Sequence, residues 1–269
     1  MTADTFFHNN PLFRREDFVN CKKKQGNVKL ASITFALQYY VKKGRLLRVH
    51  QGLYAVVPPG EARENFYVDP YLLAAKSAKD SILSYHTALE LHGYAYSTFG
   101  QFTFITSQKI KPFEYNDLWF QPVRMPAALK KQEMIEVEIS NRQGVDIKVT
   151  DIERTFVDVI DRVELCGGWE EVCRSISAIA VLNVERVVNY CLSLNNSTLN
   201  AKVGYFLEKR KGVFTVPEET LSLLLKKTPR SAQYIADRHR ERCYFVSKWN
   251  LMIPESVLRN TWEEPNYDV

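Results

Sequence analysis

The chain has 269 residues, of which 45% are hydrophobic and 25% charged, and these proportions are ordinary for a globular protein. They exclude a wholly disordered chain, and the lack of any apolar run of about 18 residues excludes a membrane-spanning helix. The net charge is +5, yet the first 60 residues alone hold ten lysines and arginines against three acids, a balance of +7. This asymmetry favours a polyanion-binding module joined to a body without that property, with a merely solvated basic face as the alternative.

The first 60 residues have the pattern of two helices followed by a hairpin. The predicted elements are helices over residues 14–20 and 29–43 and strands over residues 45–49 and 53–57. Gly44 stands where a glycine commonly ends a helix, and Gly52 lies in the turn between the strands. Helix, turn, helix and hairpin is the order of a winged helix-turn-helix, in which the second helix enters the major groove of DNA.

Two prolines mark the end of this module. Val57-Pro58-Pro59-Gly60 stops the second strand and precedes a charged stretch, because proline and glycine both interrupt regular structure. We therefore predict an α+β protein of two domains. The first is a winged helix-turn-helix over residues 1–60, and the second is a mixed α/β body over residues 61–269.

The second predicted helix has an apolar face and an opposite face suited to DNA. Leu37 lies at the centre of the apolar face, with Leu30 and Ile33 beside it, whereas Phe35 and Tyr39 project from the opposite side. Exposed aromatic rings there fit contacts with thymine methyl groups and sugars, and the lysines and arginines fit phosphates. The predicted DNA-binding residues are Ser32, Phe35, Gln38, Tyr39, Lys42, Lys43, Arg45, Arg48, His50 and Gln51. The alternative is a winged helix that binds another protein.

The remaining residues alternate between helical and strand patterns. The predicted helices begin at Asp69, at Ser84, which we expect to cap its helix, and in the segment Thr150-Asp151-Ile152-Glu153, which fits a capping box. The predicted strands and later helices cover residues 102–106, 118–122, 135–139 and 145–149, and then residues 169–180, 184–192, 197–209 and 218–227. Together these elements predict a mixed α/β body.

We expect neither a catalytic centre nor a bound metal or cofactor. The five cysteines include no C-x-x-C pair, and no two of the five histidines are spaced i, i+4. Residues 1–10 lack the apolar segment of a signal peptide, so a cytoplasmic location with reduced, mostly buried thiols is expected. Arg154 and Asp158 are four residues apart and fit a helical ion pair rather than an active site.

A nuclease remains as the enzymatic alternative. Glu136 and Glu138 lie on one predicted strand, and Asp146 and Lys148 lie on the next. Paired carboxylates in this pattern can hold Mg²⁺ for phosphodiester cleavage. Alternating charge is also typical of a strand with one face in water, and this second interpretation makes the protein non-enzymatic.

Four segments resemble, in the same order, segments of the AbiEi-type antitoxins of type IV toxin–antitoxin and phage-defence operons. Their sequences are KKGRLLRVHQGLY at 42–54, LSYHTALELHG at 83–93, VTDIERTFVD at 149–158 and AKVGYFLE at 201–208. The resemblance covers most of the chain and departs from the family near the N-terminus, where the first predicted helix is short and basic.

The resemblance implies a protein with two roles. Its winged helix would bind double-stranded promoter DNA and repress its own operon, while the body would counteract a toxin similar to a nucleotidyltransferase. The effect on the toxin would be functional, without an obligatory tight complex. The alternative within DNA-binding proteins is a plain transcriptional regulator whose body senses a ligand.

Overall fold

The computed structural model describes residues 2–26, 29–64, 66–130, 132, 134–236 and 241–263. These residues divide into two compact units. Unit 1 comprises Met1–Leu83, Gly100–Val123 and Ile139–Lys148, and unit 2 comprises Ser84–Phe99, Arg124–Glu138 and Val149–Val269. None of the described helices combines the length and the apolar character that a bilayer span requires. The predicted domain boundary at residue 60 falls inside unit 1 of this division, and it stays a prediction.

The N-terminal part of unit 1 consists of three helices and a small sheet. In chain order its elements are α1 (Ala3–Asn9), β1 (Leu12–Arg14), α2 (Arg15–Lys23), α3 (Leu30–Lys42), β2 (Leu46–His50) and β3 (Leu53–Val56). The strands are antiparallel in the order β1-β3-β2. This layout is compatible with the predicted winged helix-turn-helix. α2, α3 and the hairpin were predicted from the sequence, whereas α1 and β1 were not, because they are too short to show a clear periodicity.

A cluster of phenylalanines holds these elements together. Its buried members are Phe6, Phe7, Phe13, Phe18, Ile33, Leu37 and Leu46. The rings of Phe6 and Phe13 meet edge to face, with their centres 5.1 Å apart, an arrangement that aromatic pairs favour. Every helix and two of the three strands of this part contribute a side chain, so packing rather than local propensity stabilises the short elements.

The rest of unit 1 is built on a six-stranded sheet. After α4 (Pro70–Ser77) its strands are β4 (Ile82–Leu83), β5 (Gln101–Thr106), β6 (Phe113–Tyr115), β7 (Leu118–Arg124), β8 (Val137–Arg142) and β9 (Val145–Thr150), in the order β6-β7-β5-β4-β9-β8. The last residue of β7, the first two residues of β8 and the last two residues of β9 belong to unit 2. The helix predicted to begin at Asp69 is α4, and Asp69 caps it by accepting hydrogen bonds from the backbone N–H groups of Tyr71 and Leu72, a role that aspartate favours.

Unit 2 is mainly helical. Its elements are α5 (His86–Leu91), α6 (Ile152–Asp161), α7 (Trp169–Ala178), α8 (Val184–Ser193), α9 (Ser197–Lys209), α10 (Glu218–Leu225), β10 (Gln233–Tyr234), β11 (Cys243–Val246), β12 (Leu251–Pro254) and α11 (Glu255–Arg259). A second small sheet has the order β10-β12-β11, with β10 parallel to β12. It was not predicted. On α9, a Cβ atom at Gly204 would overlap the ring of buried Trp249, so this close contact requires glycine.

The start of α5 differs from the sequence prediction. Ser84 does not cap this helix; the capping position belongs to Tyr85, whose φ is +57°. A buried non-glycine residue with positive φ is uncommon and costs backbone strain. At the other end, His92 follows the last turn, and its Nε2 donates to the Thr150 carbonyl over 2.8 Å.

Candidate nucleic-acid interface

The orientation predicted for α3 is confirmed around Leu37. Ile33 and Leu37 are 2% and 1% exposed and belong to the phenylalanine cluster, whereas Phe35 and Tyr39 are 71% and 56% exposed. The prediction was wrong for Leu30, which is 53% exposed. Leu30 is the first residue of α3 and lies outside the cluster, so the helix begins before its apolar face reaches the core.

The exposed face of α3 presents polar, aromatic and basic side chains together. Ser32, Phe35, Gln38, Tyr39 and Lys42 are all exposed. The Lys43 ammonium lies 5.9 Å from the centre of the Tyr39 ring, a distance at which a cation and an aromatic face attract. Large aromatic side chains exposed side by side are a feature of binding surfaces.

The β2–β3 hairpin is anchored to the start of α2. Its turn contains Gly52 with φ +72°, a backbone conformation that favours glycine. The N–H of Arg15 donates to the Gly52 carbonyl over 2.7 Å, and the Arg15 guanidinium donates to Thr34 Oγ1 on α3 over 3.0 Å. The hairpin tip, the start of α2 and α3 are thereby held in one arrangement. Gln51 in the tip and Arg48 on β2 are exposed.

His50 does not project freely from the hairpin. Its ring stacks on Phe113 of β6 with the centres 3.9 Å apart and the planes 17° apart. Burial lowers the pKa of His50, and the neighbouring positive charge of Arg48 lowers it further, because both disfavour the protonated imidazole. Both effects favour the neutral imidazole. Its contact with β6 was not foreseen from the sequence, which placed it at the tip beside Gln51.

Arg45 is already engaged within the N-terminal part. Its Nη1 lies 2.5 Å from Asp4 Oδ1, and its guanidinium packs over the rings of Phe7 and Tyr40 at 5.7 Å and 5.8 Å from their centres. These contacts tie the end of α3 to α1. The role of Arg45 in DNA binding stays a prediction.

A cleft of about 760 Å³ lies between α3, the hairpin and the start of α2. Its basic lining residues are Arg14, Arg15, Lys42, Arg48, Arg63 and Lys76, and we call it the basic cleft. Among the described residues, Glu16 is the one acid of this lining, and its carboxylate is paired with Lys79 at 2.5 Å. The hydrogen bond from Lys79 lowers the pKa of Glu16. The cleft therefore carries a strong excess of positive charge.

The basic cleft brings together predicted and unpredicted residues. Five of the predicted DNA-binding residues line it: Gln38, Lys42, Arg48, His50 and Gln51. Arg14 and Arg15 were not among the predicted DNA-binding residues, although two adjacent positive charges at a helix start are a signal that the sequence contains. Arg63 and Lys76 were not predicted either, because both lie beyond the predicted boundary at residue 60, Arg63 between Glu61 and Glu64 and Lys76 in an apolar helical segment.

The segment with the pattern of an active site on α6 has structural contacts instead. Asp151 alone caps the helix, accepting from the N–H of Arg154 over 2.9 Å. The predicted capping box is wrong, because Glu153 accepts from the N–H of Asn183 over 3.1 Å. The predicted pair of Arg154 and Asp158 is present at 3.2 Å and is buried.

Tyr190 completes this buried ion pair. Its hydroxyl donates to Asp158 Oδ1 over 2.7 Å, and the Arg154 guanidinium lies over its ring, 5.4 Å from the centre. Burial raises the pKa of Asp158, since a charged carboxylate is costly away from water. A buried charge needs such partners, so removing one member of this pair would leave the other uncompensated inside unit 2.

The carboxylates considered for a nuclease have separate partners. Glu136 pairs with Arg186, the Glu138 carboxylate lies 3.9 Å from His92 Nδ1, and Asp146 accepts from Asn141 Nδ2 over 2.8 Å. Across the part of the chain that the structure describes, no three histidine, cysteine or acidic side chains converge to hold a metal ion. The five cysteines are free thiols.

Comparison with known proteins identifies the fold alone. No family model and no curated protein matches the sequence. Among solved structures, the chain is similar to the RV2827C protein from Mycobacterium tuberculosis, with a TM-score of 0.61 and 16% sequence identity. The similarity covers 94% of this chain and 90% of that one. The chain thus shares an α+β architecture, with helices and several sheets, with that protein.

Proposed function

We propose that this protein is a winged helix-turn-helix protein that binds double-stranded DNA through α3 and the β2–β3 hairpin. The observation that carries the proposal is that the exposed face of α3 and the basic cleft form one continuous surface. Gln38 and Lys42 belong both to the exposed face of α3 and to the lining of the basic cleft. A helix face that is able to contact bases is therefore bordered by cations that are able to neutralise phosphates.

The dimensions and chemistry of α3 suit the major groove. Its 13 residues correspond to about 20 Å of helix, and the major groove is about 12 Å wide and accepts one α-helix. Ser32 and Gln38 offer hydrogen-bonding groups to base edges, and Phe35 and Tyr39 offer apolar contact with thymine methyl groups. Phosphate contacts would come from Lys42, Lys43 and Arg48.

The biological role that we propose rests on the resemblance of the four sequence segments to AbiEi-type antitoxins. In that role the protein is a cytoplasmic, non-enzymatic repressor of its own operon, and its body counteracts a toxin similar to a nucleotidyltransferase. The buried contacts of Arg154 and Asp158 support a structural rather than a catalytic function for the third segment. A nucleotidyltransferase-like reading frame beside this gene is the genomic observation that the role requires.

Fluorescence anisotropy with duplex DNA from the operon's own promoter tests the DNA-binding proposal. Replacing Lys42, Lys43 and Arg48 with alanine should weaken binding and flatten its dependence on salt, because each lost phosphate contact removes about 0.9 from the slope of log K against log salt. The matched control replaces Lys130, Lys226 and Lys227, three exposed lysines of unit 2. Equal affinity of the two variants would refute the proposal.

A further inference from the structure

One wall of the basic cleft comes from outside the predicted DNA-binding domain. Arg63 follows the Pro58-Pro59 segment, and Lys76 lies in the last turn of α4, yet both line the same cavity as Lys42 and Arg48. Among the described residues, no ion pair connects Arg63 or Lys76 to a carboxylate. Both residues therefore add to the positive charge that lines the cleft.

The two walls are held at a fixed spacing within unit 1. The Arg14 guanidinium donates to the Ser77 carbonyl at the end of α4 over 3.4 Å. The stack of His50 on Phe113 attaches the hairpin to the six-stranded sheet, and Phe113 stacks in turn on Phe120 with the ring centres 4.8 Å apart. The cleft is therefore a formed feature of unit 1 rather than a gap beside a loose hairpin.

The charge of the cleft matches a chain of phosphates. Six cations line it, and a concave surface of one sign concentrates its field on a ligand of the opposite sign. One phosphate group carries too little charge to balance them, whereas a nucleic-acid backbone presents successive phosphates. The backbone of a duplex on α3 would enter the cleft at Gln38 and Lys42, which the cleft shares with the exposed face of that helix.

We propose that Arg63 and Lys76 bind the phosphate backbone of the duplex that α3 and the hairpin hold, so that the DNA interface extends past residue 60 to α4. This inference rests on the proposed function. It assigns these two residues to affinity and not to sequence recognition, because phosphate contacts carry no base information.

The test uses the full chain and the variant Arg63→Gln/Lys76→Gln, with Lys226→Gln/Lys227→Gln as the control of equal charge change. Affinities for operator and random duplexes are measured by anisotropy over a series of salt concentrations. We expect the first variant to lower the salt slope by about 1.8 and to weaken binding about tenfold per lost contact near 50 mM salt. The ratio between operator and random DNA should not change.

The outcomes separate this inference from the proposed function. If the wild type binds operator DNA and the Arg63/Lys76 variant keeps its full salt slope, the extension to α4 is wrong while DNA binding by α3 stands. If the wild type fails to bind any duplex, or prefers single-stranded RNA of the same length, the proposed function fails as well. Circular dichroism of both variants establishes that each is folded.

Discussion

Some side chains of α3 pack against the core and hold the helix in place, and others are exposed on its outer face. Tyr40 packs edge to face against Phe7, with the ring centres 5.0 Å apart. Its neighbour Tyr39 is exposed, and the ring centres of Tyr39 and Tyr40 are 5.5 Å apart. Tyr39 is thereby oriented by a residue of the core and by the cation of Lys43. A side chain that is oriented before binding loses less entropy when it meets a base.

Sequence preference should therefore depend on Gln38 and Tyr39. Gln38→Ala and Tyr39→Ala should each narrow the free-energy gap between operator and random DNA by about 1–3 kcal/mol, because base contacts of this kind are worth that much against a wrong base. The salt slope should stay the same, since no phosphate contact is removed. Anisotropy titrations with both duplexes measure the gap. If both variants keep the full free-energy difference between operator and random DNA, another face of α3 enters the groove.

At the level of elements, the phenylalanine cluster decides how the recognition surface is presented. α1 supplies Phe6 and Phe7, β1 supplies Phe13, and α2 supplies Phe18. The rings of Phe7 and Phe18 stack with their centres 5.7 Å apart, directly behind the face of α3 that Leu37 occupies in the same cluster. The two elements missed from the sequence, α1 and β1, therefore join α2 in the cluster against which α3 packs.

A pair of identical substitutions distinguishes this support from the surface. Phe18 is 1% exposed and Phe35 is 71% exposed. Phe18→Ala should cost about 3–5 kcal/mol of unfolding free energy, because it leaves a cavity in the core, whereas Phe35→Ala should leave stability within about 0.5 kcal/mol. Urea denaturation followed by circular dichroism measures both. Equal stability losses would show that Phe35 is covered in solution.

At the scale of the whole molecule, the basic segment of the sequence and the compact unit of the structure that contains it have different boundaries. The excess of +7 lies within residues 1–60, but unit 1 also includes the six-stranded sheet and α4. The hairpin of the predicted module stacks on that sheet through His50 and Phe113. A truncation at residue 60 would uncover Phe113, so point substitutions in the full chain are the better means of separating the two proposed roles.

The Lys42/Lys43/Arg48 alanine variant should lose promoter binding and still protect cells from the cognate toxin. These three residues lie within residues 1–60, and the protective role is proposed for the body over residues 61–269. The toxin is expressed from an unrelated inducible promoter, so that repression of its own operon has no effect, and colony counts with wild type, variant and empty vector measure protection. Loss of protection in the variant would mean that neutralisation needs the DNA-binding surface.

Short-range spacing along the chain was enough to predict the elements that present the candidate interface. The apolar positions around Leu37 predicted α3, and Gly44 and Gly52 marked the end of that helix and the turn of the hairpin, because helix and turn formation depend on neighbouring residues. The exposure of Phe35 and Tyr39 follows from the same helical geometry. The order of these elements also follows from the chain alone.

The basic cleft, by contrast, depends on residues that only folding brings together. Arg63 and Lys76 line the same cleft as Arg48 because α4 and the sheet pack in unit 1. His50 stacks on Phe113 of β6 and is held there. The Glu153 carboxylate accepts a hydrogen bond from the backbone N–H of Asn183 and not from the start of its own helix. Contacts over such distances in sequence arise from the burial of apolar surface shared by many residues, and no local pattern encodes which partner each side chain meets.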